Sequence, residues 1–304
     1  MFKKRNSSNK PMIEYLIGLL AFMRTYATVK LFLIKRKKYS NIPIMNGADP
    51  FFYKRGSIGV LMIHGFTSTP QEMKSLGKYL AKRDITCYCP LLKYHGTVVE
   101  DLTKGNLLEW NEQVINEVNF LKQYCDMIYV AGNSFGGNLT LIYASSHRIQ
   151  GVISFGTPVF WKRERFYKSM YFILRQFKIF QKKSYPSNRN GVDPRIIKRK
   201  VHYSKVPLPT LSQVLKSASM TKKVLSKIQD PILIIQSVTD HMVDKRTPGY
   251  IYDRVGSKQK KIVWINDSYH VVLVDKNKKI AFEETYQFIQ ATKKDLNKNL
   301  TQKA

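Results

Sequence analysis

From residue 58 onward, short apolar runs alternate with longer stretches of helical periodicity, and this alternation restricts the fold more than any other feature. The runs that favour strands are Ile58–His64, Ile85–Cys89, Met127–Ala131, Gly151–Phe155, Pro231–Ser237 and Lys260–Ile265. Helices are predicted between most of them, at Pro70–Lys82, Asn106–Tyr124, Phe135–His147, Leu211–Lys227 and Asp275–Lys294. Near-continuous apolar strands separated by helices are typical of a parallel sheet. The pattern therefore predicts an α/β fold with a mostly parallel central sheet and helices on both faces.

One interval breaks this alternation. After Pro158 about 50 residues pass before the pattern resumes, which is long for an ordinary connection, so we predict an inserted helical cap over about residues 158–210. Within it Phe166, Met170, Ile173, Phe177 and Phe180 are spaced to form one apolar helical stripe. Two interpretations stay open. The stripe covers a site in the domain beneath it while the neighbouring bases are solvated, or it meets apolar chains of a lipid while the bases contact anionic lipid.

The charge of the chain is concentrated in two segments. The sequence has 51 Lys and Arg against 21 Asp and Glu, a net charge of +30, of which residues 1–40 carry +9 and residues 160–205 carry +12. Such an excess is typical of proteins that bind nucleic acid or an anionic membrane. The sequence contains no helix-turn-helix signature, aromatic RNA-binding motif or zinc-finger spacing. We therefore expect an anionic membrane surface as a partner and no nucleic acid.

Residues 1–40 are predicted as a basic, apolar N-terminal segment, and residues 41–304 as the folded domain. The apolar stretch 12–34 is long enough to span a bilayer, but Glu14, Arg24 and Lys30 interrupt it. An arginine near the middle costs about 2.5–3.5 kcal/mol on insertion. Three interpretations remain: a helix lying in the membrane surface, a transmembrane anchor, or a helix packed on the domain. We expect a membrane-associated protein facing the cytoplasm; nothing in the sequence indicates an oligomeric state.

A G-x-S-x-G motif at Gly132–Gly136 is the strongest chemical signal in the chain. In this motif a serine nucleophile occupies a sharp strand-to-helix turn, and the glycines let neighbouring backbones approach closely. Ser134 follows the predicted strand Met127–Ala131 and precedes a predicted helix, which is the arrangement that the motif requires. We predict Ser134 as a nucleophile; the alternative is an ordinary serine in a β–α turn.

A serine nucleophile of this kind needs two backbone N–H groups that bind the oxyanion. One comes from the residue after the nucleophile, which is Phe135, and the other from the loop after an earlier strand. His64-Gly65-Phe66 follows such a strand, so Phe66 is the second candidate. His64 itself precedes Ser134 in the chain, and we interpret it as a residue that braces the loop.

An acid and a histidine should follow the serine in chain order. Asp240 lies just beyond the predicted strand Pro231–Ser237, with Asp244 as its competitor four residues later. Among the downstream histidines, His270 alone lies in the loop between the last predicted strand and the last predicted helix. We predict His270 as the general base and Asp240 as the acid that orients it.

Three stretches in combination resemble the α/β-hydrolase superfamily, and within it the bacterial carboxylesterase and monoacylglycerol lipase group. They are Leu61–Pro70, His95–Leu102 with Trp110, and Ala131–Gly137. The resemblance extends roughly over residues 56–292. The family's nucleophile, acid and base fall on Ser134, Asp240 and His270, and its oxyanion donors fall on Phe66 and Phe135.

The resemblance is not perfect. Ser68 stands where a second glycine is common, Tyr94 where glycine is usual, and Asn133 and Phe135 where leucine and methionine are frequent. These departures reshape the expected pocket, but none of them removes a predicted catalytic group.

The resemblance implies an α/β-hydrolase that cleaves carboxylic esters, such as acylglycerols or other lipid-like esters, through an acyl-enzyme intermediate. It implies no metal and no organic cofactor, and three cysteines are too few for a four-thiolate zinc site. Two alternatives stay open. In the first, the same residues serve an acyltransferase in which an alcohol replaces water. In the second, the chain is a non-catalytic, basic membrane-binding protein on a hydrolase fold.

Overall fold

The computed structural model describes residues 42–174, 179–183 and 200–301, without the side chains of residues 165–168, 170 and 294–301. The predictions for residues 1–40 and for Phe177, and those for the side chains of Phe166 and Met170, lie outside this described part.

A seven-stranded sheet forms the centre of the described domain. The strands, in chain order, are β1 (Phe51–Tyr53), β2 (Ile58–Ile63), β3 (Thr86–Cys89), β4 (Met127–Asn133), β5 (Gly151–Phe155), β6 (Phe180–Lys182), β7 (Lys205–Pro207), β8 (Ile232–Ser237) and β9 (Lys260–Ile265). The sheet has the order β1-β3-β2-β4-β5-β8-β9, in which only β1 is antiparallel to its neighbour, and β6 pairs with β7 in a separate antiparallel sheet. The predicted parallel sheet is confirmed, with all six predicted strands present.

Helices cover the sheet on both faces, as predicted. They are α1 (Gln71–Ala81), α2 (Leu107–Leu121), α3 (Phe135–Ala144), α4 (Glu164–Leu174), α5 (Leu208–Val224), α6 (Thr247–Arg254) and α7 (Lys278–Thr301). Helix α1 packs against α7, whereas α2, α3 and α5 pack against one another. Strands β2, β5 and β8 are buried along their whole length, which explains their near-continuous apolar sequences. No described helix is long and apolar enough to cross a membrane.

The interval between β5 and α5 differs from the predicted helical stripe. Helix α4 is described over Glu164–Leu174, and Phe180 lies in β6, where it pairs with Pro207 of β7. Ile173 is 58% exposed. The continuous stripe from 166 to 180 is therefore wrong at its C-terminal end, because a strand pairing across more than 20 residues of chain leaves no trace in local periodicity. That residues 158–210 form a cap over the site stays a prediction.

Candidate active site

Ser134 occupies the sharp turn between β4 and α3. Its backbone has φ = 52° and ψ = −117°, a conformation that costs free energy in any residue other than glycine. The turn holds because its neighbours fit closely: a Cβ on Gly132 would lie 2.2 Å from the Gly136 carbonyl oxygen, and a Cβ on Gly136 would lie 2.2 Å from that of Ile63. The Ser134 N–H also donates to the Phe155 carbonyl at 2.8 Å. The glycines of the motif are thus required by backbone contact.

The structure brings Ser134, His270 and Asp240 into one hydrogen-bonded chain. The Ser134 Oγ lies 2.9 Å from His270 Nε2, and His270 Nδ1 lies 2.7 Å from Asp240 Oδ2. Asp240 follows β8 and His270 follows β9, and the carboxyl ends of these parallel strands meet at the same edge of the sheet as the end of β4. Since ionised Asp240 only accepts hydrogen bonds, Nδ1 carries the proton, and Nε2 is left to accept one from the Ser134 hydroxyl.

Asp240 is buried and surrounded by donors. Its Oδ1 accepts the N–H groups of Met242 and Val243 at 2.8 and 3.0 Å, and its Oδ2 also accepts the Gln236 amide at 2.7 Å. Burial acts to raise the pKa of Asp240, but His270 and the backbone N–H groups outweigh it, so the pKa lies below its ordinary value. Asp240 is therefore a carboxylate at neutral pH.

Asp244, the competing acid, does not contact His270 in the structure. Its carboxylate binds the Arg246 guanidinium at 3.0 Å in a pair that is largely exposed on the arginine side. Of the two candidate acids, the structure joins only Asp240 to the serine and the histidine.

Phe66 and Phe135, the two candidate oxyanion donors, lie side by side. Their rings contact edge to face with centroids 5.9 Å apart, and both contact the buried Trp110. Phe135 begins α3, and Phe66 lies in the loop after β2. The loop before α1 and the start of α3 thus meet beside Ser134, with aromatic rings around them.

His64 braces this loop, as predicted from the sequence. It is fully buried, its Nδ1 lies 2.9 Å from the Gly65 carbonyl, and its Nε2 accepts the Leu92 N–H at 3.1 Å. Burial lowers its pKa, which keeps the ring neutral as this pattern of one donor and one acceptor requires.

His241 sits next to Asp240 but bonds elsewhere. Its ring stacks on Tyr269 with centroids 4.0 Å apart, and its Nε2 lies 2.7 Å from the Tyr269 hydroxyl. Burial, followed by the neighbouring His270, lowers the pKa of His241 to about 4. His241 is therefore neutral at physiological pH and does not compete electrostatically with His270 for Asp240.

Glu72 was not predicted from the sequence. It lies in the first turn of α1, and its buried carboxylate accepts the Gly65 N–H at 2.6 Å and the Asn133 side-chain amide at 2.8 Å. No signal in the sequence distinguishes it, because an acid in the first turn of a helix is ordinary.

Among the described residues, no group of three or more His, Cys, Asp or Glu side chains is arranged to hold a metal ion. Cys87, Cys89 and Cys125 are buried, free thiols. Burial raises the pKa of each thiol, so these groups are unreactive.

The sequence matches the family model of the serine aminopeptidases S33 over residues 57–277. It is 32% identical to the thermostable monoacylglycerol lipase of Bacillus sp. (strain H-257), over 81% of this chain and 96% of that protein. It is 28% identical to a carboxylesterase of Bacillus subtilis (strain 168), over 79% of this chain and 96% of that protein.

Solved structures show the same fold. A structure reported for LipS and LipT, two metagenome-derived lipolytic enzymes, has a TM-score of 0.74 at 26% identity and covers 82% of this chain and 100% of its own. A soluble variant of the monoglyceride lipase from Saccharomyces cerevisiae has a TM-score of 0.65 at 15% identity, covering 83% and 95%. With the geometry around Ser134, these matches lead to one conclusion. The chain belongs to the serine aminopeptidase S33 family of α/β-hydrolases, in the group of bacterial carboxylesterases and monoacylglycerol lipases.

Proposed function

We propose that this protein is a serine carboxylesterase or lipase that hydrolyses lipid-like esters, such as acylglycerols, through an acyl-enzyme on Ser134. The observation that carries the proposal is the chain of hydrogen bonds from Ser134 through His270 to Asp240, located at a strained strand-to-helix turn. Relatives named as a monoacylglycerol lipase and a carboxylesterase support the ester as the substrate class.

Acylation begins when Ser134 Oγ attacks the ester carbonyl carbon. His270 Nε2 takes the hydroxyl proton, while ionised Asp240 holds Nδ1–H in place and stabilises the imidazolium that forms. The N–H groups of Phe66 and Phe135 bind the oxyanion of the tetrahedral intermediate. As the intermediate collapses, His270 returns the proton to the leaving alcohol, and the acyl group remains on Ser134.

Deacylation repeats these steps with water as the nucleophile. His270 takes a proton from water as its oxygen attacks the acyl carbon, and the same two N–H groups bind the second oxyanion. His270 then returns the proton to Ser134 and the carboxylic acid leaves. No step requires a group from outside the chain other than ester and water.

We further propose that the enzyme works at an anionic membrane surface on the cytoplasmic side. The net charge of +30 favours anionic lipid. Phe172, Ile173 and Ile179 are each about 60% exposed, and they belong to the segment of residues 160–205 that carries a net charge of +12. Exposed apolar side chains in a basic segment are typical of interfacial binding. Substituting both Phe172 and Ile173 by Asp should reduce cosedimentation with anionic vesicles; unchanged binding would contradict the role of this surface.

The experiment that tests the function is an ester panel of increasing acyl length, assayed with and without anionic vesicles and with added glycerol. We expect hydrolysis to rise from short to medium or long acyl chains, to be stimulated by vesicles, and to be absent in Ser134→Ala. Glycerol esters as the main product would instead indicate an acyltransferase. A folded wild-type protein that binds vesicles but hydrolyses no ester would indicate a non-catalytic binding protein.

A further inference from the structure

Glu72 joins the two backbone segments that carry the nucleophile and one oxyanion donor. Its Oε1 accepts both the Gly65 N–H at 2.6 Å and the Asn133 Nδ2 at 2.8 Å. Gly65 directly precedes Phe66, and Asn133 directly precedes Ser134. One carboxylate oxygen therefore fixes the distance between the loop that provides the Phe66 N–H and the turn that provides the Ser134 hydroxyl.

The second oxygen of Glu72 anchors the carboxylate itself. Oε2 accepts the Ser68 hydroxyl at 2.5 Å and faces the Lys200 ammonium at 3.8 Å. Burial acts to raise the pKa of Glu72, but Lys200, the Ser68 hydroxyl and the Gly65 N–H outweigh it and lower the pKa. Glu72 is thus a buried carboxylate in which each oxygen accepts a hydrogen bond. Hydrogen bonds to a charged acceptor are short and strong, so they hold their donors firmly in place.

The backbone leaves this contact little freedom. A Cβ on Gly65 would lie 3.2 Å from Glu72 Oε1, so a larger residue would require the carboxylate to shift by a few tenths of an ångström. The segment after Lys200 also packs here, because the Val201 carbonyl accepts the Thr69 hydroxyl and the Tyr203 N–H donates to the Thr67 carbonyl. The loop that carries Phe66 is thereby held from α1 on one side and from the segment before β7 on the other.

We propose that Glu72 is a positioning residue for the oxyanion hole, which holds the Phe66 N–H at the distance from Ser134 that the tetrahedral intermediate requires. This inference rests on the proposed function. Glu72 contacts neither substrate nor the reacting atoms; it acts through Gly65 and Asn133. The oxyanion forms only after Ser134 has attacked, so displacement of this donor weakens binding of the intermediate but not of the ester. The displacement therefore lowers kcat while leaving KM largely unchanged.

The test compares Glu72→Gln with wild type in the full-length protein, using a soluble p-nitrophenyl ester and a trifluoromethyl ketone inhibitor. The ketone adds to Ser134 and places an oxyanion in the hole. Glutamine keeps the shape of the side chain, but it lacks the charge that strengthens the hydrogen bonds from Gly65 and Asn133, and its NH2 group replaces one of the two accepting oxygens. We expect kcat to fall about 10- to 100-fold, which is no more than the effect of removing an oxyanion donor altogether. KM should change little, and the inhibition constant of the ketone should rise in proportion to the loss in kcat/KM.

Glu117→Gln is the matched control. Glu117 is a buried carboxylate on α2 that accepts the hydroxyl of Tyr88 in β3 at 2.8 Å. Glu117→Gln should lose thermal stability much as Glu72→Gln does, but its kcat and its inhibition constant for the ketone should equal those of wild type. If Glu72→Gln fails to fold, Ser68→Ala serves instead, because it removes only the hydroxyl that anchors Oε2; a smaller fall in kcat with the same proportional change in the ketone constant is then expected.

Two results would overturn the proposal in distinguishable ways. A folded Glu72→Gln, or Ser68→Ala in its place, with unchanged kcat and unchanged ketone binding would show that Glu72 is only structural, while the proposed function stands. A folded wild type that neither hydrolyses the ester nor binds the ketone would overturn the proposed function, and this inference with it.

Discussion

Replacing Asp240 by Asn should abolish most of the activity without unfolding the protein. The Asn carbonyl oxygen can keep the N–H groups of Met242 and Val243, which now hold Oδ1 at 2.8 and 3.0 Å. Its NH2 group then takes the place of Oδ2, 2.7 Å from His270 Nδ1. An NH2 group donates where the carboxylate accepts, so the proton of His270 moves to Nε2, and Nε2 can no longer accept the proton of Ser134.

The size of the effect follows from that change of tautomer. Loss of the correct tautomer in a serine–histidine–aspartate site of this kind costs about 10⁴ in kcat, equivalent to about 5.5 kcal/mol in the activation free energy. The new NH2 group also meets the Gln236 amide, which donates to Oδ2 at 2.7 Å in the wild type. We therefore expect a modest loss of thermal stability beside the large loss of kcat/KM.

The assay is hydrolysis of a soluble p-nitrophenyl ester at neutral pH, with folding checked by circular dichroism. Asp244→Asn is the matched control, because Asp244 lies in the same loop and its partner Arg246 is largely exposed. An exposed pair contributes about 0–1 kcal/mol, so this variant should keep its activity. The reasoning is refuted if folded Asp240→Asn retains a tenth or more of the wild-type activity, or if Asp244→Asn loses as much.

Three further predictions concern stability. Gly136→Ala should destabilise the protein by about 3 kcal/mol or more, because its Cβ would lie 2.2 Å from a backbone oxygen; denaturant unfolding measures this, and a wild-type midpoint would contradict it. The pKa of Asp240 is lower in the folded state, so its stabilisation is present above about pH 4 and is lost as the pH falls through the folded value. The stability advantage of wild type over Asp240→Asn, measured by denaturant unfolding, should therefore shrink as the pH falls below about 4; a difference that does not change with pH would contradict this. Burial lowers the pKa of Lys183 to about 7, so the stability of wild type should rise between pH 7 and about pH 10. Lys183→Met should therefore unfold at a higher temperature than wild type at pH 7, and the difference in unfolding temperature should narrow at alkaline pH. A difference that stays constant with pH would show that Lys183 titrates normally.

The local sequence pattern predicted the buried strands of the central sheet and most of the helices between them. The strands β2, β5 and β8 are apolar along their length because both faces are buried, and this burial is what makes them recognisable. The three-residue strand β1 and the β6–β7 pair were missed, since each depends on a partner distant in the chain. Helix α6 was missed because Pro248 and Gly249 interrupt its periodicity.

The same distinction holds in the candidate site. Ser134 is recognisable because the glycines around it satisfy a backbone requirement that appears in the sequence. Asp240 was predicted over Asp244 because it lies just beyond the strand, but the contact that distinguishes the two carboxylates, the one with His270, comes from the packing of the loops after β8 and β9. Glu72 could not be found from the sequence, because its importance comes from Gly65 and Asn133, which reach it through the fold.

The measurement that tests the central claim most directly is covalent labelling with a fluorophosphonate probe, followed by mapping of the labelled peptide. If Ser134 is the nucleophile activated by His270, the probe labels wild type at Ser134, labels His270→Ala far more slowly, and does not label Ser134→Ala. A well-folded wild-type protein that remains unlabelled, or a Ser134→Ala variant labelled as fast as wild type, would contradict the account.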